Sequence, residues 1–315
     1  MSDKQSQLFV IGGRHRAAFT LVELLIVVMV ISILAALTLV ASNVALKAAK
    51  EAKTRATILK LDTALRQIYE GYEERFENIF DGLDSTKKTE AEALPEPKKT
   101  ELKLHLIHDL MRMELPQCST DVTNPCQQDG DGFILGHKPA VSEYYSSGAG
   151  NAELLFQIIQ NLSPETLEAF QGSEIGDVDS NGLYEFLDAW GKPIRFIRFA
   201  PALPQSDLQP DLWKIANKAP TDGWNSLTQT DFDTARSYYP DPLDPNQLAA
   251  RGWFLYPVIF SAGADQKYDL QIDDTPNNTQ TITPFEFPNG IPLDEDSDGE
   301  WNHYDNISNH RLSGY

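Results

Sequence analysis

From residue 19 to residue 41 the chain is apolar at almost every position, and Glu23 is the only formal charge in that run. About 20 such residues in a helix cross the hydrocarbon core of a bilayer, and neither Gly nor Pro interrupts them here. Further on, the pattern becomes periodic. Ile58, Leu61, Leu65, Ile68 and Tyr72 recur at spacings of three and four, which places them on one helical face. Between residues 42 and 80 there is no Pro, and Gly71 is the only Gly. The pattern therefore predicts one continuous helix. Residues 19–41 form its membrane-spanning part, and residues 42–80 form an amphipathic stem whose apolar stripe packs on the chain's own domain.

Residues 81–100 are charged, contain Pro and hold few large apolar side chains, which reads as a linker or exposed insertion. Residues 102–115 predict a short helix with Leu106, Ile107, Leu110 and Met111 inward, and residues 153–162 another. Ser163-Pro164 then has the residue types of an N-cap and first-turn Pro. Together, residues 81–185 read as a helical and turn-rich insertion. Residues 186–315 read as a β region, because residues 193–200 and 253–260 are rich in β-branched and aromatic side chains. The stretch between those two strands, 201–252, is too long for a turn and is expected to carry a helix or a surface excursion.

Composition narrows the function. With 26 Lys+Arg against 46 Asp+Glu, the formal net charge is −20. That argues against the clustered cations a phosphate backbone requires, so no nucleic-acid partner is expected, whereas it suits oxygen ligation of hard cations. Arg14 and Arg16 precede the apolar run, which puts the N-terminus in the cytoplasm and everything after residue 41 across the membrane. Cys118 and Cys126 allow one small-loop disulfide in an oxidising compartment, and two free thiols fit equally well. Among motifs with a catalytic mechanism there is no G-x-S-x-G, H-E-x-x-H, Walker loop or dinucleotide fingerprint. His105 and His108, three apart on a predicted helix, read as surface or packing residues before they read as metal ligands.

Two acidic stretches share the spacing of EF-hand-type calcium loops. Asp177, Asp179, Asn181 and Gly182 occupy positions 1, 3, 5 and 6, with Asp188 at position 12; Asp294, Asp296, Asp298 and Gly299 repeat the pattern, with Asp305 at position 12. Alternating acids line the inside of one curl, and the Gly permits its sharp turn. Asp rather than the usual Glu stands at position 12, and Asp, Ser, Asn and Gly are turn formers in any case. The stretches therefore read either as calcium loops or as acidic surface turns.

The order Ala18-Phe19-Thr20-Leu21-Val22-Glu23 followed by the long apolar run resembles the processing segment of type IV prepilins and type II secretion pseudopilins. The resemblance implies cleavage by prepilin peptidase between Ala18 and Phe19, methylation of the new amino terminus, and an assembly role for Glu23. Ala18 stands where the family usually has Gly. Residues 1–18 become a prepilin leader. Downstream, Asp188-x-Trp190-Gly191-x-Pro193, Ser261-x-Gly263-Ala264-Asp265 and the Asp305–Asn309 loop resemble the order in the major pseudopilin of type II secretion. That likeness implies a calcium site drawing on Ser261, Asp265 and Asp305.

The expected fold is α+β and pilin-like: a long N-terminal spine helix packed on a small antiparallel sheet with large insertions. The expected function is structural rather than enzymatic. The subunit would assemble with other pseudopilins or pilins on an inner-membrane platform, with its C-terminal domain in the periplasm, to support protein export. A type IV pilus subunit for adhesion or DNA uptake is one alternative. A membrane-anchored, calcium-stabilised hydrolase or binding domain is the other.

Overall fold

The computed structural model describes residues 20–123, 132–135, 144–248, 256–272, 289–293 and 302–311. The fold is mixed α+β, a long N-terminal apolar helix together with small antiparallel sheets, consistent with a pilin-like fold. Helix α1 runs Leu21–Glu77. It is the one helix among the described residues long and apolar enough to cross a membrane. The chain divides into two compact units, Met1–Ala48 and Ala49–Tyr315.

In the first unit every described side chain is exposed, including Leu24, Ile26, Val30, Leu34 and Leu37. Such a surface is stable in lipid or against neighbouring apolar helices, not in water.

In the second unit the periodic face of α1 is the floor of the main core. Ile58, Leu61, Leu65 and Tyr72 are buried, and Ile68 is partly so. Burying each such side chain contributes about 1.5–3 kcal/mol relative to leaving it exposed. The face packs with α3 (Glu96–Glu114), α5 (Asn151–Leu162) and the inner side of the sheet, all in one cluster that extends from Ile58 to Ile307.

The stretch expected to be a linker is helical instead. A 3-10 turn at Ile79–Gly82 leads into α2 (Ser85–Glu92), and α3 already begins at Glu96. The cause is local chemistry. Asp84 Oδ1 accepts from the N–H groups of Thr86 (2.9 Å) and Lys87 (3.0 Å), which caps α2. Pro97 in the first turn of α3 costs no backbone bond. Buried Leu83 and Ala91 then tie the charged segment to the core. Helix α4 is the short Ser119–Thr123.

Strands β1 (Ile175–Gly176) and β2 (Glu185–Phe186) form a two-stranded antiparallel ladder. The boundary expected at 185/186 passes through this pair. Strands β3 (Arg195–Ile197), β4 (Val258–Ser261) and β5 (Ile307–Ser308) form a three-stranded antiparallel sheet in that order, pairing Phe196 with Ile259 and Ser261 with Ile307. The sheet is covered on both sides. Phe196 and Ile259 face the main core, while Ile197, Val258 and Phe260 belong to a second cluster with Leu203 and Leu270. Double coverage explains why these strands read as continuous apolar runs. The excursion after β3 carries α6 (Leu212–Ala216) and α7 (Gln229–Tyr238), with a small core of Leu212, Trp213, Leu227 and Phe232.

Candidate functional site

Thr20 and Glu23 form a capping box at the start of α1. The Thr20 N–H and Oγ1 donate to Glu23 Oε2 at 2.9 and 2.8 Å, and the Glu23 N–H donates to Thr20 Oγ1 at 3.2 Å. Thr-x-x-Glu before an apolar run is the sequence signature of this device, and it passed unread beside the processing motif. The carboxylate is exposed and bonded only from its own first turn among the described residues. It is therefore positioned at the positive end of the helix dipole with room for a second donor. Ala18 and Phe19 lie outside the described residues.

The segment Asp188-x-Trp190-Gly191-x-Pro193 is a tight turn closed by Asp188, whose Oδ1 accepts from the N–H groups of Trp190 (2.8 Å) and Lys192 (2.9 Å). The turn sits on α1: the Ala189 N–H donates to Thr54 Oγ1 at 3.0 Å, and the Lys50 ammonium lies 5.8 Å from the centre of the Trp190 ring. Asp188 Oδ2 accepts from Ser261 Oγ at 2.7 Å, and the Gly263 N–H donates to that hydroxyl. Two motifs far apart in sequence thus meet through one buried hydrogen bond.

Among the described residues, acidic side chains gather in two places, and neither group has the membership expected from loop spacing. At the first, one carboxylate oxygen from each of Glu153, Asp179 and Glu185 lies within 4.8 Å of the others. Asp177 shapes the loop beside them, accepting from the N–H groups of Asn181 and Gly182. Asn181 Nδ2 donates to Glu153 Oε1 and Asp179 Oδ2. Asp188 is not in this group, because β2 pairs with β1 from Glu185 onward and extends the chain away from the loop. Burial raises the Glu185 carboxyl above its ordinary range, and the nearby Glu153, Asp179 and Asp177 add to that shift. Glu153 comes from α5, so spacing along the loop gave no sign of it.

At the second place the group is Asp265, Asp269 and Asp305, again within 4.8 Å. Asp305 Oδ2 accepts from the N–H groups of Ala264 (3.1 Å) and Asp265 (3.2 Å). This approach requires Gly263: its φ is +68°, and a Cβ there would lie 2.4 Å from the Asp305 carbonyl oxygen. Asp269 is fully buried and carried no signal in the sequence beyond being an acid among apolar neighbours. Ser261 is not in this group, since its hydroxyl is bonded to Asp188. Asp294, Asp296 and Asp298 lie outside the described residues. Three carboxylates at this spacing fit a hard, oxygen-ligated cation.

His108 is buried against Phe199, with its Nε2 3.8 Å from Asp241 Oδ2. The two border a cavity of about 290 Å³ beside Arg66, Tyr69 and Tyr256. Burial pushes the His108 imidazole down to about 3 and the Asp241 carboxyl up to about 7. Cys118 is a buried thiol raised to about 11, mainly by burial, and Cys126 lies outside the described residues.

No curated protein and no solved structure matches the chain. The family described as the prokaryotic N-terminal methylation motif matches residues 13–39. That stretch holds the Thr20–Glu23 cap and the opening turns of the exposed apolar helix, and it implies processing by prepilin peptidase and assembly with other pilin-type subunits. Residues 13–39 therefore carry the prepilin signal of type IV pilin-like proteins.

Proposed function

We propose that the chain is a structural subunit of a type II secretion pseudopilus. Prepilin peptidase cleaves between Ala18 and Phe19, the new amino terminus is methylated, and the subunit waits in the inner membrane with its C-terminal domain in the periplasm. The observation that carries this reading is Glu23, a carboxylate held at the first turn of the exposed apolar part of α1, inside the methylation motif. A carboxylate at bilayer depth costs about 2.5–3.5 kcal/mol on insertion scales. The terminal amine of a neighbouring Phe19 would offset that cost and set the axial register between subunits.

The secretion branch is favoured over a pilus by the hydrogen bond between Asp188 and Ser261, which unites the two segments that resemble the major pseudopilin. Calcium belongs to the same reading. Asp265, Asp269 and Asp305 would hold it, supplying oxygen ligands from both sides of the Gly263 turn. Its charge would offset most of the repulsion among the three acids and fix the C-terminal loop to the sheet.

The test is Glu23→Ala. It should abolish recovery of the subunit in sheared fibres while the domain from residue 49 keeps its protease resistance in membranes. Fibres recovered at the wild-type level would overturn the assignment. Export of cargo in a deletion strain, restored by the wild type and not by Glu23→Ala, separates secretion from a pilus role.

A further inference from the structure

A wide groove of about 1050 Å³ opens between α6, the end of α7 and the 3-10 turn Asn302–Tyr304. Three tyrosines on its walls are unusually exposed for aromatic side chains: Tyr238 at 71%, Tyr239 at 45% and Tyr304 at 58%. Gln209 lines the groove at only 3% exposure. Its backbone N–H donates to Ser206 Oγ at 2.9 Å, yet both its side-chain atoms, Oε1 and Nε2, find no hydrogen-bond partner among the described residues. A buried carboxamide left wholly unbonded destabilises a fold, and native proteins keep very few. One that borders an aromatic groove has the arrangement of a site whose missing partner is a ligand.

We propose that this groove binds a neutral oligosaccharide. A carboxamide presents a donor and an acceptor side by side, and adjacent sugar hydroxyls present the complementary pair. The tyrosine faces provide flat apolar surfaces for the C–H faces of pyranose rings. Other occupants fit less well. An anionic ligand needs clustered cations, but of the two lysines that line the groove Lys218 is already bonded to the Ser226 carbonyl and to Asp231, which leaves exposed Lys214 alone against Asp207 and Asp211 on the same wall. A polyproline peptide docks on aromatic ridges and gains from a free indole donor. Here the Trp213 indole N–H donates to the Ala202 carbonyl at 2.9 Å.

The experiment uses the full chain in lipid nanodiscs, free of sugar-based detergent. Saturation-transfer NMR is recorded with maltohexaose, cellohexaose, chitohexaose and mannohexaose, and with decaproline as the competing probe. The expected result is transfer to the ring protons of at least one sugar. Tyr239→Ala should weaken that binding roughly fivefold to tenfold, the scale of one aromatic contact. Gln209→Leu should weaken it roughly tenfold while leaving the melting temperature equal or higher, since it removes an unbonded amide. The proposal is overturned by no transfer to any of the four sugars, by transfer indifferent to both variants, or by decaproline binding in their place. A lower melting temperature for Gln209→Leu would also overturn it, because the amide would then have had a partner.

Discussion

Asn309 is the side chain that ties the end of the chain to the spine helix, and Asn309→Ala tests how much of the fold depends on that tie. Its amide makes three side-chain hydrogen bonds in a fully buried position: Nδ2 to Asp62 Oδ1 (2.7 Å), Nδ2 to the Pro257 carbonyl (3.0 Å), and Oδ1 from the Ile259 N–H (2.8 Å). The Pro257 carbonyl keeps a second partner in His310. Truncation therefore strands two buried groups, the Ile259 N–H and one oxygen of Asp62, whose other oxygen stays bonded to Arg66. Each stranded group costs about 1–3 kcal/mol, so the variant should lose about 2–6 kcal/mol. That is a large share of the about 5–15 kcal/mol that stabilises an ordinary domain. The assay is urea unfolding of the full chain in nanodiscs, followed by tryptophan fluorescence. The midpoint should fall with an unchanged slope. A loss below about 1 kcal/mol would refute the reasoning, because it would mean that the spine and sheet are held together by packing alone.

Asp241→Asn should stabilise the protein in a pH-dependent way. Burial raises the folded-state carboxyl from 3.8 to about 7, so the wild-type side chain costs nothing extra below pH 3.8, costs more as pH rises to about 7, and levels off above it. The gain from Asn should be absent at pH 3.5 and on the order of 4 kcal/mol at pH 8, read from urea midpoints; a gain independent of pH contradicts the assignment. His108 works in the opposite sense. Its folded-state value is lowered from 6.5 to about 3, so wild-type stability from this group rises between pH 3 and 6.5 and then holds. Calcium at 100-fold its dissociation constant should add about 2.7 kcal/mol, seen as a melting temperature several degrees higher and reversed by chelator. Asp269→Asn should erase that shift, and an unchanged melting temperature in the wild type would remove calcium from the account.

Local patterns carried most of the spine to the page. Spacings of three and four from Ile58 to Tyr72 record a single helix packing on one side, which depends on nothing distant. Helix α2 was hidden because its evidence is a cap and one small buried residue, Asp84 and Ala91, inside a run of charges. The acidic groups show the limit more clearly. Counting along a loop assumes that the loop closes on itself, but strand pairing carries Asp188 off to Ser261. Glu153 and Asp269 arrive instead from places that only the assembled fold brings near. The meeting of Asp188 with Ser261 was in the sequence only as two separate motifs, with nothing to say they would touch.

The central claim is that residues 13–39 are processed as a prepilin signal. It is tested most directly by intact mass and N-terminal peptide mass spectrometry of the subunit purified from membranes of cells that contain a prepilin peptidase. The account predicts a chain that begins at Phe19 and carries one methyl group on its terminal amine, with Glu23 five residues in. A membrane population that still begins at Met1, in cells whose peptidase processes its other substrates, would contradict it.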